Sequence, residues 1–318
     1  MNAPLIETRG LIKYFATPKG ALHAVDNVNL KIERGKVLGV VGESGCGKST
    51  LGRTILRLTE PTGGDMLYDG ESYLKYSARE MNEMRKKMQI IFQDPYSSLN
   101  PRMTIGDIIA EPIRVCKTVT GKKEIDEKVL EIMNVVGLSR KMVNSYPHEL
   151  DGGRRQRVGV ARALVLEPSF IVCDEPVSAL DVSIQAQILN LMMDLQRDMG
   201  LTYMFITHDL SVVKHISTDI MVMYLGQCVE SAKPEELFKH PMHPYTVALL
   251  NAIPRPNLSH RNRERTIIKG EVSNPINPKP GCRFAARCPN ASPRCLEQDP
   301  PLVEIAPDHK VACTLYEK

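Results

Sequence analysis

Apolar positions change their spacing along the chain, and each change predicts a different kind of element. Between residues 5 and 33, apolar and polar residues alternate around a short turn-like stretch, which favours antiparallel strands. Three short apolar runs at 36–41, 170–173 and 203–207 predict buried strands. The first run leads into a glycine-rich turn, after which a helix is expected from Lys48 onward.

Helical spacing of apolar residues marks two further regions. Residues 184–199 predict an amphipathic helix, and a helical subdomain is expected at about 95–165. Within that subdomain, Pro112, Gly121 and Gly137 are expected to break the helices. Because strands alternate with helices elsewhere, the fold class should be α/β, with a mostly parallel core sheet and an antiparallel β subdomain.

The end of the chain has a different character. Beyond Pro241 prolines accumulate, hydrophobic density falls, and almost no periodic pattern is left. The sequence therefore predicts two domains, one at 1–255 and a small irregular, cysteine-rich one at 256–318.

Composition places the chain among ordinary globular proteins, since 42% of its 318 residues are apolar and 25% are charged. The net charge of +4 is small and is not gathered into a basic run, so no nucleic-acid partner is expected. No apolar stretch reaches the roughly 18 to 20 residues of a spanning helix, and no signal-peptide pattern opens the chain. We expect a cytosolic chain whose membrane role depends on partners that span the bilayer.

One segment fits the phosphate-binding pattern G-x-x-x-x-G-K-[ST], and it lies between the first buried strand and the following helix, as the pattern requires. Its glycines let backbone N–H groups point at phosphate oxygens, next to the positive end of a helix. The expected contacts are Lys48 to the β and γ phosphates, Ser49 to Mg²⁺, and Thr50 to the phosphates further back. The segment consists of Gly42, Glu43, Ser44, Gly45, Cys46, Gly47, Lys48, Ser49 and Thr50.

Two adjacent carboxylates, Asp174 and Glu175, follow the buried run at 170–173. The carboxyl ends of strands are the usual ligand side of an α/β sheet, and side chains alternate along a strand, so the two should have different roles. Asp174 is the expected magnesium-side carboxylate. Glu175 is the expected general base for the water that attacks the γ-phosphate.

The segment Leu-Asp-Gly-Gly-Arg at 150–154 resembles the signature of ABC ATPases. Phe-Gln-Asp-Pro at 92–95 before it, and Ser-Ala-Leu-Asp at 178–181 and Thr-His-Asp at 207–209 after it, also resemble motifs of that family and stand in the family's order. The resemblance implies a P-loop NTPase fold of RecA-like type that binds ATP. It also implies that Gln93 belongs to the magnesium and water site, and that His208 contacts the γ-phosphate. In the signature, Asp151, Gly152 and Gly153 would face the nucleotide held by a partner ATPase.

An aromatic ring that stacks on adenine is also implied, and Phe15 is preferred over Tyr14. The signature departs from the family pattern, which has Ser at Asp151 and Gln at Arg154. An ionised Asp can only accept hydrogen bonds. The hypothesis is a heterodimer with a different ATPase subunit and two unequal sites; the alternative is that Arg154 compensates fully.

Four of the eight cysteines crowd into the tail with the spacing C-x5-C-x6-C-x17-C, which in a reducing cytosol indicates a metal site. Four thiolates suit Zn²⁺ or an iron–sulfur cluster. The surrounding residues resemble the C-terminal extension of dipeptide and oligopeptide importer ATPases, which implies a [4Fe–4S] cluster, with zinc as the alternative. The four are Cys282, Cys288, Cys295 and Cys313.

The resemblance therefore predicts the ATPase subunit of a dipeptide or oligopeptide importer, bound to the cytoplasmic face of the cell membrane. The implied partners are two permease subunits, a second ATPase subunit and, indirectly, an extracellular peptide-binding protein. The alternatives are an importer of nickel or other small solutes, and a soluble ABC ATPase that acts on ribosomes or nucleic acid.

Overall fold

The computed structural model describes residues 3–253 and 274–317. These residues form two compact units. The first unit comprises residues 3–5, 32–36 and 71–206. The second unit comprises residues 6–31, 37–70, 207–253 and 274–317.

The elements follow one another in chain order. The strands are β1 (Ile6–Thr17), β2 (Gly20–Ile32), β3 (Val37–Val41), β4 (Gly63–Tyr68), β5 (Glu71–Ser72), β6 (Met88–Ile91), β7 (Phe170–Asp174), β8 (Thr202–Ile206), β9 (Asp219–Tyr224), β10 (Gln227–Ala232), β11 (Val303–Ala306) and β12 (His309–Val311). The helices are α1 (Lys48–Ile55), α2 (Ala78–Lys87), α3 (Pro95–Ser98), α4 (Ile105–Cys116), α5 (Lys122–Val135), α6 (Gly152–Leu164), α7 (Val182–Met199), α8 (Leu210–Ile216), α9 (Pro234–Lys239) and α10 (Pro244–Ala252).

The first unit is built on three parallel strands. β6 pairs with β7, and β7 pairs with β8, with Phe170 opposite both Met88 and Thr202. Every residue of β7 and β8 is buried, as expected for parallel strands covered on both faces. The strands predicted at 170–173 and 203–207, and the helix predicted at 184–199, are confirmed to within one or two residues.

The helical part of the first unit contains α4 and α5, and one prediction about it is wrong. Gly121 and Gly137 flank α5 as expected, but Pro112 lies inside α4 and does not end it. A proline in that position removes one backbone hydrogen bond of the helix. Packing compensates, since α4 buries Ile105, Ile109 and other apolar side chains along one face.

The second unit contains the strands predicted from the alternating pattern at the start of the chain. β1 lies between β2 and β4 and pairs antiparallel with β4. A separate group of strands begins with β3, which pairs parallel with β9. β9 then pairs antiparallel with β10, so this part of the sheet is mixed.

The tail, residues 274–317, packs in the second unit as an irregular segment with a short hairpin. The hairpin strands β11 and β12 pair antiparallel, and β12 continues onto β10, with Val311 opposite Glu230. The fully buried Glu230 carboxylate accepts hydrogen bonds from the backbone N–H groups of Met242 and His243 and pairs with His309 at 2.8 Å. These contacts satisfy a carboxylate that would otherwise be costly to bury.

The domain boundary predicted at 255 lies outside the described residues. Among the helices that the structure describes, none combines the length and apolar character needed to cross a bilayer.

Candidate functional site

The predicted phosphate loop lies between the fully buried strand β3 and helix α1, as the sequence indicates. Two of its glycines are required by close backbone contacts. A Cβ at Gly42 would lie 2.2 Å from the carbonyl oxygen of Met223, and one at Gly47 would lie 2.0 Å from that of Ala24. Gly47 also has a φ of 106°, a backbone conformation that other residues rarely adopt. The loop can therefore be this tight only with glycine at both positions.

Lys48 is the first residue of α1, and its side chain turns back into the loop. The residue is 4% exposed, and its ammonium group donates to the carbonyl oxygens of Gly42 at 2.8 Å and Glu43 at 3.0 Å. Ser49 and Thr50 follow in the first helical turn, which contains no acidic residue. A buried cation at the positive end of a helix makes this loop suited to an anion.

The remaining loop residues differ in exposure. Ser44 and Gly45 are exposed, whereas Cys46 is buried, and burial raises the pKa of its thiol although Lys48 opposes the rise. The backbone of Cys46 accepts a hydrogen bond from Gly226 N–H. Cys46 thus anchors the base of the loop and leaves its tip open to solvent.

The two aromatic candidates for adenine stacking have different environments. Tyr14 stacks on His23 with the ring centres 3.7 Å apart, and its hydroxyl donates to Asp26 at 2.6 Å. Phe15 is 37% exposed, with the Lys13 ammonium 4.7 Å from its ring centre. Phe15 is therefore the more exposed of the two rings, whereas Tyr14 is engaged in the protein's own packing.

His208, also in the second unit, lies exposed in the segment before α8. The neighbouring Asp209 caps that helix by accepting from Ser211 N–H at 2.7 Å. Thr207 N–H donates to the carbonyl oxygen of Val40 in β3 at 3.1 Å. These two contacts fix the backbone on either side of His208.

In the first unit, the structure brings Gln93 and Glu175 together. Asp174 ends β7 and is 1% exposed, whereas the next residue, Glu175, is half-buried. The Gln93 amide donates to the Glu175 carboxylate at 3.1 Å. Glu175 has a φ of 48°, which costs energy for a residue with a side chain, and such strain tends to occur at functional positions.

The signature segment forms the start of α6. Asp151 is the N-cap, and its carboxylate accepts from Arg154 N–H at 2.8 Å while the Arg154 guanidinium lies 3.4 Å away. Gly152 and Gly153 are the first helical residues, and a Cβ at Gly153 would lie 2.6 Å from Ile184. Asp151 therefore does the capping that serine would do, with part of its charge offset by Arg154.

The four tail cysteines line one small cavity of about 10 Å³ together with His243, Phe284 and Thr314. All four are free of disulfides. Burial raises the pKa of Cys282 to about 11, and the other three cysteines add to the rise. Within residues 3–253 and 274–317, however, no three His, Cys, Asp or Glu side chains are grouped so that they could hold a metal ion.

Sequence reasoning missed the contacts that α10 and the tail make with the phosphate loop. Arg287 donates to the Glu43 carboxylate at 2.9 Å, and the Tyr245 hydroxyl accepts from Glu43 N–H at 2.8 Å. Arg283 of the tail donates to the carboxylate of Asp26, which is also the partner of Tyr14. The only signal in the sequence is that Arg283 and Arg287 each adjoin a cysteine of the tail motif.

Two family models match the chain. The model described as ABC transporter matches residues 25–178, and the model of the oligopeptide/dipeptide transporter C-terminal region matches residues 229–295. The phosphate loop and the Asp174–Glu175 pair lie within the first match. Three of the four tail cysteines lie within the second.

Similar proteins cover nearly the whole chain. The dipeptide transport ATP-binding protein DppF of Haemophilus influenzae is 50% identical over 98% of this chain and 97% of its own. The oligopeptide transport ATP-binding protein OppF of Salmonella typhimurium is 50% identical over 95% of this chain and 90% of its own. Among solved structures, the dimeric ATP-binding cassette MJ0796 bound to ADP and phosphate aligns with a TM-score of 0.65 and 28% identity, over 72% of this chain and 98% of that one. This chain belongs to the ATP-binding proteins of the ABC transporter family that carry the oligopeptide/dipeptide transporter C-terminal region.

Proposed function

We propose that this chain is the ATP-binding and ATP-hydrolysing subunit of an importer for dipeptides or oligopeptides. The observation that carries the proposal is the phosphate loop, in which the buried Lys48 ammonium stands at the start of α1. The names of the two bacterial relatives, which are transport proteins for dipeptides and oligopeptides, support the class of substrate.

The chemistry assigned to the site is phosphoryl transfer to water. When bound with ATP, Mg²⁺ neutralises negative charge on the β and γ phosphates. Ser49, Gln93 and Asp174 are each proposed as magnesium-side ligands, since a hydroxyl, an amide oxygen and a carboxylate are the hard oxygen donors that this ion prefers.

The Glu175 carboxylate is the proposed general base, and Gln93 orients it through their hydrogen bond. His208 is the proposed contact to the γ-phosphate. Lys48 holds the β and γ phosphates, and Phe15 stacks on the adenine ring. These side chains hold the phosphates, the adenine ring and the Glu175 carboxylate in fixed positions, which lowers the entropic cost of the reaction.

The partners of this subunit are two permease subunits, a second ATPase subunit and, through the permeases, a peptide-binding protein outside the cell. The chain would act at the cytoplasmic face of the membrane. The altered signature supports pairing with a different ATPase, because Asp151 carries a negative charge where a hydrogen-bond donor is usual. Its pairing with Arg154 supports the alternative, in which the charge is compensated and the two sites are equal.

We also propose that the four tail cysteines hold a [4Fe–4S] cluster, with zinc as the second candidate. The shared cavity and the free thiols of these cysteines support a thiolate donor set, although among the described residues the four side chains are not grouped closely enough to hold a metal ion. Anaerobic purification followed by iron, sulfide and zinc analysis tests the proposal. About four iron atoms per chain are expected, and stoichiometric zinc without iron would overturn the cluster.

The test of the main proposal is ATP-driven uptake in vesicles that contain this chain, its permeases and its partner ATPase. Uptake of labelled dipeptides is expected, and uptake of Ni²⁺ alone would replace peptides with metal as the cargo. Co-sedimentation with ribosomes, without binding to permease-containing membranes, would favour the soluble alternative. In the same vesicles, unchanged turnover after Asp151→Ser would count against unequal sites.

A further inference from the structure

The guanidinium group of Arg287, in the tail, binds the phosphate loop. Arg287 donates one hydrogen bond from each terminal nitrogen to the Glu43 carboxylate, at 2.9 and 3.1 Å, and a third to the Tyr224 hydroxyl at 3.2 Å. Its side chain is 8% exposed, and the Tyr224 and Phe284 rings each lie 5.9 Å from the guanidinium carbon. An ion pair with two hydrogen bonds fixes direction as well as distance, and here its guanidinium side is nearly buried.

Glu43, the second residue of the loop, is held at every polar group it has. Its carboxylate accepts from Arg287, its N–H donates to the Tyr245 hydroxyl at 2.8 Å, and its carbonyl accepts from Lys48 at 3.0 Å. Tyr245 is fully buried in α10, so it is a rigid partner. Two of the three contacts thus come from the C-terminal part of the chain.

The Lys48 contact is the one that a nucleotide must disturb. An ammonium group has three N–H donors, and in this structure the Lys48 ammonium contacts the carbonyls of Gly42 and Glu43 and, at 3.9 Å, Cys46 Sγ. A phosphate bound at Lys48 draws on the same donors. The contacts from Arg287 and Tyr245 do not compete with phosphate, so they can hold the loop while Lys48 turns to its ligand.

We propose that Arg287 is a positioning residue for nucleotide binding, which holds Glu43 so that the loop keeps its shape when Lys48 engages a phosphate. A loop held in its binding shape loses less conformational freedom on binding, and this raises affinity. Because Arg287 ends a short 3₁₀ helix directly before Cys288, the loop and the cysteine cavity are mechanically linked. By linkage, bound nucleotide stabilises the fold of the tail to the same degree as the tail promotes nucleotide binding.

The experiment measures the Kd of the full chain for a fluorescent ATP analogue with Mg²⁺. Arg287→Gln is expected to weaken binding roughly tenfold, because it removes a hydrogen-bonded charge pair, and Arg287→Lys should recover part of the loss. The matched control is Arg294→Gln, which removes an arginine of the same tail whose exposed side chain pairs with Glu317. The control should bind as tightly as the original chain.

A double-mutant cycle with Glu43→Gln separates positioning from general damage to the fold. If the two residues act as a pair, the double variant should bind no more weakly than the worse single variant. Additive losses, or an unchanged Kd in a folded Arg287→Gln chain, would overturn the proposal. Should Arg287→Gln fail to fold, Arg287→Lys and Glu43→Gln supply the cycle.

Protection of the tail gives a readout that does not depend on catalysis. Saturating nucleotide should slow proteolysis within the tail, residues 274–317, in the original chain and in Arg294→Gln. In Arg287→Gln this protection should be lost at an equal degree of nucleotide saturation. Equal protection in all three proteins would contradict the proposed link.

Discussion

The side-chain amide of Gln93 donates a hydrogen bond to the Glu175 carboxylate over 3.1 Å. Gln93 lies just before α3, and Glu175 directly follows β7, so the bond connects the start of the helical region to the end of a buried strand. A shift of the Gln93 loop would therefore turn the carboxylate proposed to prepare water for attack. The hydrogen bond therefore ties the orientation of the Glu175 carboxylate to the position of the Gln93 side chain.

Replacing Glu175 by Gln should strongly slow hydrolysis but leave nucleotide binding intact. The amide keeps the shape of the side chain and loses the proton acceptor, so turnover should fall by about 10²- to 10⁴-fold. Phosphate release and analogue binding are measured on the same preparation. Glu167→Gln, which changes an exposed glutamate paired with Lys128, is the control and should retain turnover.

Phe15→Ala should weaken ATP binding, whereas Tyr14→Phe should not. Loss of a stacked ring costs about 1–3 kcal/mol when a base is the partner, and Phe15 has the exposed ring. Tyr14→Phe removes the hydrogen bond to Asp26 and should instead lower the unfolding midpoint. Titration calorimetry and thermal unfolding of both variants test this assignment. The reverse pattern would make Tyr14 the stacking residue.

Asp151→Ala should destabilise the chain by about 1 kcal/mol, because α6 loses its N-cap acceptor for Arg154 N–H. Asp151→Ser should be close to neutral, since serine caps as well as aspartate. Urea unfolding measures both changes. Equal stability of the alanine variant would show that the cap adds nothing to the fold.

Acid should destabilise the fold through His243. Burial lowers the pKa of His243 to about 4, from 6.5 when it is exposed, and its ring nitrogen accepts from Tyr245 N–H. Between these values the unfolded chain binds the proton and the folded chain does not, so this contribution to the free energy of unfolding falls as the pH drops through this window.

His243→Asn keeps a capping acceptor and removes the titrating ring. As the pH falls from about 6.5 to 4, the free energy of unfolding of the original chain should decrease by up to about 3 kcal/mol more than that of His243→Asn. Urea unfolding at a series of pH values gives both slopes. Parallel pH profiles would exclude His243 as the cause.

The features that sequence predicted are those encoded over short stretches. The phosphate loop is set by glycines, a lysine and the strand before it, all within residues 37–50, and the structure places it between β3 and α1 as expected. The apolar runs that predict β7 and β8 are equally short. Pro112 shows the limit of such rules, because burial of one face of α4 outweighs the hydrogen bond that the proline removes.

Contacts between residues far apart in the sequence could not be predicted from it. Arg287 and Glu43 are separated by 244 residues, and nothing in the irregular tail indicates which surface it covers. The choice between Tyr14 and Phe15 also depends on packing, since Tyr14 stacks on His23 and donates to Asp26, whereas Phe15 is exposed. Local pattern identifies the chemistry of such residues, whereas their partners emerge only from the fold.

The pairing of β12 with β10 has a consequence for solubility. Without this hairpin, β10 would expose a row of unpaired amide and carbonyl groups, which is a template for strands of other molecules. The strand left outermost, β11, has only four residues and an irregular register, so it is a poor template. The C-terminal segment therefore protects its own unit against edge-to-edge aggregation.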